Sequence, residues 1–201
     1  FDAWSPTMAY VLGFWFADGY MRKDRSYRVS FNSVDRDHLV AVRSAMGSEH
    51  RIFKHQRDRS WDMILFSKHL YERMQELGCL RRKSRVVRFP KVPPPYLRDF
   101  IRGYFDGDGS VFRVPYIMTK NNKPTKELRS NFTSGSKEFL EELMKVLAKE
   151  LGFKRKSLGS YNDGGSLKLG YGTKDTRSLL LYMYYPGCSL ALERKRAFLT
   201  E

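Results

Sequence analysis

Apolar residues run almost without a break from Met8 to Ala17, interrupted by Gly13, and Ser5-Pro6 stands just ahead of them. A capping serine followed by proline at the first helical position predicts a helix that starts there and reaches Ala17. A second helix is predicted after Pro93-Pro94-Pro95. In Ser136–Leu151 the residues Phe139, Leu140, Leu143, Val146, Leu147 and Leu151 fall at helical spacing, and Asp35–Met46, Lys68–Leu77 and Asp175–Tyr184 read as further helices. Strand-like runs occupy Arg51–His55, Trp61–Phe66, Phe153–Gly159 and Ser166–Tyr171, with Asn162-Asp163-Gly164-Gly165 as a hairpin turn.

These elements come in the same order twice. Tyr10–Tyr20 (YVLGFWFADGY) and Phe100–Ser110 (FIRGYFDGDGS) share an aromatic–apolar–x–Gly–aromatic–aromatic run that closes on Asp-Gly. Each is followed by an extended stretch ending in Phe31-Asn32-Ser33 or Phe132-Thr133-Ser134, then a helix, two strands and a helix. Gly78-Cys79 and Gly187-Cys188 come next, each with a basic cluster beyond. One nine-residue match arises by chance, but the same order of features twice marks an internal duplication. Between the copies, Phe89–Tyr96 (FPKVPPPY) reads as an extended linker. The division is residues 1–88, a proline-rich linker at 89–95, and residues 96–201.

Composition narrows the partner. The 201 residues carry a formal charge of +15, and each half holds a similar share of it. Such an excess predicts a polyanionic partner, nucleic acid or an anionic membrane surface. A hydrophobic fraction of 41% supports a packed core and excludes a disordered basic tail. No apolar run approaches the roughly 18 residues that would span a bilayer. Two cysteines and four scattered histidines argue against a disulfide framework or a Cys/His zinc site, and reducing, intracellular conditions are expected rather than secretion. The sequence begins at Phe1, with neither an initiator methionine nor a signal peptide, which reads as a trimmed N-terminus.

The chemistry concentrates where the duplicated helices end. Ala9, Gly13 and Ala17 are four residues apart, as are Gly103 and Gly107, so small residues line one face of each helix and permit close approach. If the two helices pair through Gly13, Ala17, Gly103 and Gly107, their C-terminal acids Asp18 and Asp108 come together. Two carboxylates at two partially negative helix ends repel, and a hard divalent cation such as Mg²⁺ relieves that repulsion. Asp106-Gly107-Asp108-Gly109-Ser110 also begins like an EF-hand loop, but Val111 and Ile117 stand where glycine and glutamate are required.

Val11–Gly19 (VLGFWFADG) and Ile101–Gly109 (IRGYFDGDG) resemble the paired signature of LAGLIDADG homing endonucleases in their single-chain form, and the resemblance covers nearly the whole chain. It implies an α+β fold of tandem pseudo-twofold αββαββα half-domains, with saddle-shaped antiparallel sheets and a two-helix interface. It also implies a monomer, with no obligate protein partner, that binds double-stranded DNA and makes metal-dependent double-strand breaks with short 3′ overhangs. Carried over position by position, Asp18 and Asp108 are the metal-binding acids, with Mg²⁺ or another divalent ion such as Mn²⁺ or Ca²⁺ between them. Lys83 and Lys195 match the basic residues beside the scissile phosphates. The sixth signature position is Phe16 in one copy and Asp106 in the other, so Asp106 reads as a helix-end or packing residue. The mechanism implied is in-line attack of water on phosphorus, with the lysines stabilising the transition state.

Strand residues are the expected readers of DNA. Arg22, Lys23, Arg25, Arg28, Ser30, Asn32, Arg51, Lys54, Gln56, Arg57 and Arg59 supply them in the first half. Arg113, Tyr116, Arg129, Asn131, Lys154, Lys156 and Lys168 supply them in the second. Strands of about 30 Å cover roughly nine base pairs each, so the two halves predict a long, asymmetric target near twenty base pairs. Rival readings are an intron RNA maturase and a non-cleaving sequence-specific DNA-binding protein of the same fold. A membrane-surface module explains the charge but not the repeat.

Overall fold

A computed structural model describes all residues except 24–25, 57–58, 82–84, 119–122, 162–164 and 201, and it describes only the backbone of 116–118, 123 and 161. The order is α1 (Pro6–Asp18), β1 (Gly19–Lys23), β2 (Tyr27–Ser33), α2 (Arg36–Ala45), β3 (Ile52–Lys54), β4 (Trp61–Phe66) and α3 (Lys68–Glu76). After a 3-10 turn at Pro94–Tyr96 it repeats as α4 (Leu97–Asp108), β5 (Gly109–Met118), β6 (Lys123–Ser134), α5 (Lys137–Leu151), β7 (Gly159–Tyr161), β8 (Ser166–Tyr171) and α6 (Thr173–Met183). A short α7 (Glu193–Arg196) follows. The two four-stranded antiparallel sheets have the same connectivity, β1-β2-β4-β3 and β5-β6-β8-β7. The architecture is α+β, as the sequence predicts.

Local signals account for most boundaries. Ser5 caps α1 by accepting a hydrogen bond from the Met8 amide, and Pro6 opens the helix. From Met8 to Phe16 every residue of α1 is buried, which fits a helix apolar on all sides and enclosed by the rest of the chain. Gly78 and Gly187, the glycines of the repeated Gly-Cys pair, both adopt left-handed backbone (φ 89° and 81°), so the repeat preserves a conformational requirement.

The expected strand at Phe153–Gly159 is a correction. Gly152 ends α5 in a left-handed cap, Phe153 packs on Tyr171 at 5.0 Å between ring centres, and the Lys156 amide bonds the Met144 sulfur at 3.2 Å. These contacts tie the segment to the core, and pairing with β8 begins only at Gly159. The expected Asn162–Gly164 portion of the hairpin turn lies outside the described residues. The linker is pinned down too: the Phe89 ring meets Phe100 and Phe139 at 5.1 and 5.5 Å.

The centre of the molecule is the α1–α4 contact. A Cβ built on Gly13 would lie 2.0 Å from the Phe100 carbonyl oxygen, and one built on Gly103 would lie 2.0 Å from that of Tyr10. The two glycines therefore occupy reciprocal positions, each backbone resting on the other.

Candidate functional site

Both central helices end on an aspartate and hand over directly to the first strand of a sheet. Asp18 and Asp108 are half-buried, and the residues around them have the same pattern of burial in both copies. At Gly107 a Cβ would fall 2.3 Å from the Ala17 Cβ and 2.9 Å from Asp18 Oδ2. The Asp18 carboxylate therefore lies against the last turn of α4, one residue before Asp108. Gly13, Ala17, Gly103 and Gly107 are brought into one interface. Asp108 also borders a cleft of about 240 Å³ with Phe16, Ala17, Tyr104, Thr133 and Ser134. The buried Tyr104 hydroxyl donates to the Thr133 carbonyl at 2.7 Å; burial first, and then the charges of Asp108 and Asp18, hold its pKa well above the ordinary phenol value.

Lys195 takes a different place from that expected of a solvent-facing cation. Its side chain, 3% exposed, donates to the carbonyl oxygens of Phe105 (2.6 Å), Asp106 (2.8 Å) and Gly109 (2.6 Å). Three acceptors match the three N–H bonds of an ammonium, one each. They sit at the C-terminus of α4 and its cap, where a cation meets the negative end of the helix dipole; the Phe105 carbonyl also accepts from the Gly109 amide. Burial lowers the Lys195 pKa to about 8, opposed first by Asp106 and then, past the repulsion of Arg194, by Asp18 and Asp108. Lys195 is thus a cation inside the frame that carries Asp108. Replacing it with Met removes one buried donor from each of three carbonyls, and thermal denaturation should register a loss of about 2–4 kcal/mol. Lys83 lies outside the described residues.

Asp106 is a buried hub. It accepts from the Tyr10 hydroxyl (2.7 Å), the Tyr184 hydroxyl (2.5 Å) and the Leu192 amide (2.9 Å), joining α1, α4, α6 and the C-terminal segment. Tyr10 spends its proton on Asp106, so His38 Nε2, 2.9 Å from the same hydroxyl, must be the donor of that pair. Burial, the largest cause, lowers the His38 pKa and favours the neutral ring, which fixes the Nε2–H tautomer. Folding therefore weakens proton binding at this ring, and the unfolded chain holds more protons below about pH 6.5. Stability from His38 is present at pH 7 and lost in acid. Between pH 7 and 5, the wild-type melting temperature should fall further than that of His38→Gln. Equal slopes would place the acid sensitivity elsewhere.

Register sorts the expected DNA readers by face. Met21, Val29, Phe31, Met63 and Leu65 form the buried face of the first sheet; Arg22, Arg28, Asn32 and Ser30 belong to the opposite face. Ser30 is a correction there: it is 0% exposed, because a short side chain flanked by Tyr20 and Ile64 does not reach the surface. Asn32 commits its amide hydrogens to Ser60 Oγ (2.8 Å) and Asp62 Oδ1 (2.9 Å). Lys23 reaches over Tyr27, and Lys54 pairs with Trp61 on the helix-side face. In the second sheet Arg129, Asn131 and Lys168 share the outer face and line one cleft of about 330 Å³, but Asn131 is a second correction, only 7% exposed. Arg113 pairs with Leu128 on the other face, and Lys156 forms an ion pair with Asp175 at 3.2 Å. Arg51, Gln56, Arg59 and Lys154 are exposed in loops. Arg25 and Arg57 lie outside the described residues, as does the side chain of Tyr116, whose backbone is in β5.

Residues 95–167 match the family model described as a LAGLIDADG-like domain. The whole chain superposes on single-chain proteins of that kind: on a mesophilic variant of homing endonuclease I-DmoI with a TM-score of 0.65 at 18% identity, covering 96% of this chain and 97% of the other. On meganuclease I-AabMI, bound to uncleaved DNA, the TM-score is 0.66 at 12% identity over 98% and 88%. Residues 95–167 thus match a LAGLIDADG-like domain, and the chain as a whole has the fold of these proteins. The two repeated runs lie on α1 and α4.

Curated relatives come from archaea. An uncharacterized protein of Methanocaldococcus jannaschii is 30% identical over 152 residues, 71% of this chain and 49% of the relative. A replication factor C small subunit of the same organism is 27% identical over 130 residues, 62% of this chain but 7% of that protein. Its DNA-directed RNA polymerase subunit Rpo1C is 28% identical over 146 residues, 70% of this chain and 15% of the subunit. The chain thus spans about half or less of these relatives. Among its described residues no helix is long and apolar enough to cross a membrane, and no group of three His, Cys, Asp or Glu side chains is placed to hold a metal.

Proposed function

We propose that this chain is a site-specific, divalent-metal-dependent DNA endonuclease that acts as a monomer. Each half-domain, residues 1–88 and 96–201, covers one half of an asymmetric target near twenty base pairs, with residues 89–95 as the connection. The observation that carries the reading is the junction of the two helix ends. Asp18 rests against the turn that presents Asp108, between two sheets whose outer faces carry basic side chains. The named relatives fit a separable module. Replication factor C and an RNA polymerase subunit differ in their printed functions, yet each matches this chain over a small fraction of its length. The shared segment therefore has a task independent of those names.

The donor set suits a hard cation. Two carboxylates supply charged oxygens, two helix ends add negative potential, and no protein donor set beyond them is needed by Mg²⁺, which usually keeps several waters and substrate phosphate oxygens. When bound there, the ion supplies Lewis acidity at phosphoryl oxygen and lowers the pKa of water. Asp18 and Asp108 would hold it from opposite halves, at the pseudo-twofold junction. Lys195 fixes the Phe105, Asp106 and Gly109 carbonyls, and so orients the strand-helix corner on which Asp108 stands. Its cationic field also favours the ionised form of both acids. Tyr104 holds the Thr133 carbonyl at the wall of the Asp108 cleft. Cleavage of both strands by this arrangement leaves short 3′ overhangs.

A plasmid library carrying candidate target sites tests the reading. Linearisation in Mg²⁺ that stops in EDTA supports the nuclease. Sequence-specific retention of DNA with no cutting under any divalent ion supports the non-cleaving alternative instead.

A further inference from the structure

The two outer sheet faces differ in chemistry, row by row. In the first sheet the register aligns Arg22, Arg28 and Phe66, then Tyr20, Ser30 and Ile64, then Asn32, Asp62 and Phe53. The matching rows of the second are Phe112 and Arg129, then Ser110, Asn131 and Gly170, then Thr133, Lys168 and Gly159. Glycines 170 and 159 stand where the first sheet has Ile64 and Phe53, and Lys168 stands where it has Asp62. Phe66, Tyr20 and Phe53 are 57%, 45% and 43% exposed, against 37% for Phe112.

Three large aromatics left open to solvent on one strand face do nothing for the core, which lies behind the other face. They are interleaved with Arg22 and Arg28, and the Arg28 guanidinium sits 5.8 Å from the Phe66 ring centre. A polyanion can therefore be held by the cations while its apolar groups meet the rings. Along the major groove of DNA the one apolar group on the base edges is the 5-methyl of thymine.

Resting on the nuclease reading above, we propose that the first sheet reads thymine methyl groups through Phe66, Phe53 and Tyr20, whereas the second reads polar base edges through Arg129 and Lys168. The target is then chemically lopsided, with its methyl-dependent half under residues 1–88.

Uracil replaces thymine without its methyl and without a change in pairing, which gives a direct test. Duplexes are enriched from a randomised library on the full chain in EDTA, and thymine is then replaced by uracil in one half at a time. Uracil in one half should weaken binding about fourfold per contacted methyl, and in the other half by less than about twofold. The triple variant Phe66→Ala/Phe53→Ala/Tyr20→Ala, altered only at exposed rings and checked for an unchanged melting temperature, should bind thymine and uracil duplexes alike. Equal losses in both halves, a sensitive half without thymine, or a triple variant that still distinguishes the two bases would overturn the inference and leave the nuclease reading standing. Failure to enrich any sequence would instead count against the nuclease reading itself.

Discussion

Replacing Asp18 or Asp108 by asparagine is expected to lower DNA cleavage by on the order of 10³-fold while leaving DNA affinity within about threefold. Asparagine keeps the shape and hydrogen-bonding reach of the side chain and removes its charge, so the change isolates electrostatics at the junction of α1 and α4. On the proposed reading, binding falls to the sheets, which are built from other residues. A second measurement separates loss of chemistry from loss of fold. In EDTA the charge removed repels the other carboxylate and the helix dipoles but attracts Lys195, so either variant should melt close to the wild-type temperature. Mg²⁺ should raise the wild-type melting temperature, because it binds the folded chain alone, and should raise that of the variants less. Full cleavage activity in either variant would remove Asp18 and Asp108 from the reaction.

The duplication, the two central helices and most strand boundaries are legible in the sequence because they depend on short-range signals. Ser5-Pro6 sets one helix start, and Asp-Gly at the ends of both signature runs marks the helix-to-strand corners. Properties fixed by distant segments are not legible. Lys195 is singled out by the resemblance as a basic residue beside the scissile phosphates, and only the return of the C-terminal segment beneath α4 shows that three carbonyls enclose its ammonium. Lys23, Lys54, Arg113 and Lys156 sit in runs that also hold outward-facing residues, and a one-residue difference in register turns a side chain to the other face. Ser30 fails for a different reason: it is on the outer face but shorter than its neighbours. Of the residues the sequence does not flag, Tyr10 and Tyr184 meet on Asp106, and His38 bonds the Tyr10 hydroxyl behind them. The available signal was an acid at the sixth signature position whose counterpart is Phe16, since an unmatched charge inside an apolar helix needs internal partners.

The second large effect is expected at Gly103, where two rules oppose each other. Alanine is the better helix former by about 1 kcal/mol, so propensity alone makes Gly103→Ala stabilising. The contact with α1 makes it destabilising. A Cβ at 103 would stand 2.0 Å from the Tyr10 carbonyl oxygen and 2.9 Å from the Phe14 amide nitrogen, and both are backbone atoms of a helix that is buried along most of its length. No side-chain rotation relieves such a clash; the helices must separate. Separation loosens the reciprocal seat of Gly13 on Phe100 and carries Asp18 away from the turn that bears Asp108. Overpacking of this kind costs about 3 kcal/mol or more, enough to outweigh the propensity gain and lower the melting temperature by about 6–12 °C in a chain of this size. Gly47, whose added Cβ would meet no atom within 4 Å, offers a weaker contrast because its φ of 61° strains any side chain. Gly170 is the cleaner control: it is exposed, has open space for a Cβ and has ordinary strand backbone. Gly170→Ala should leave the melting temperature within about 2 °C. If Gly103→Ala proved as stable as Gly170→Ala, the two central helices would not be in backbone contact, and the pairing of Asp18 with Asp108 would lose its support.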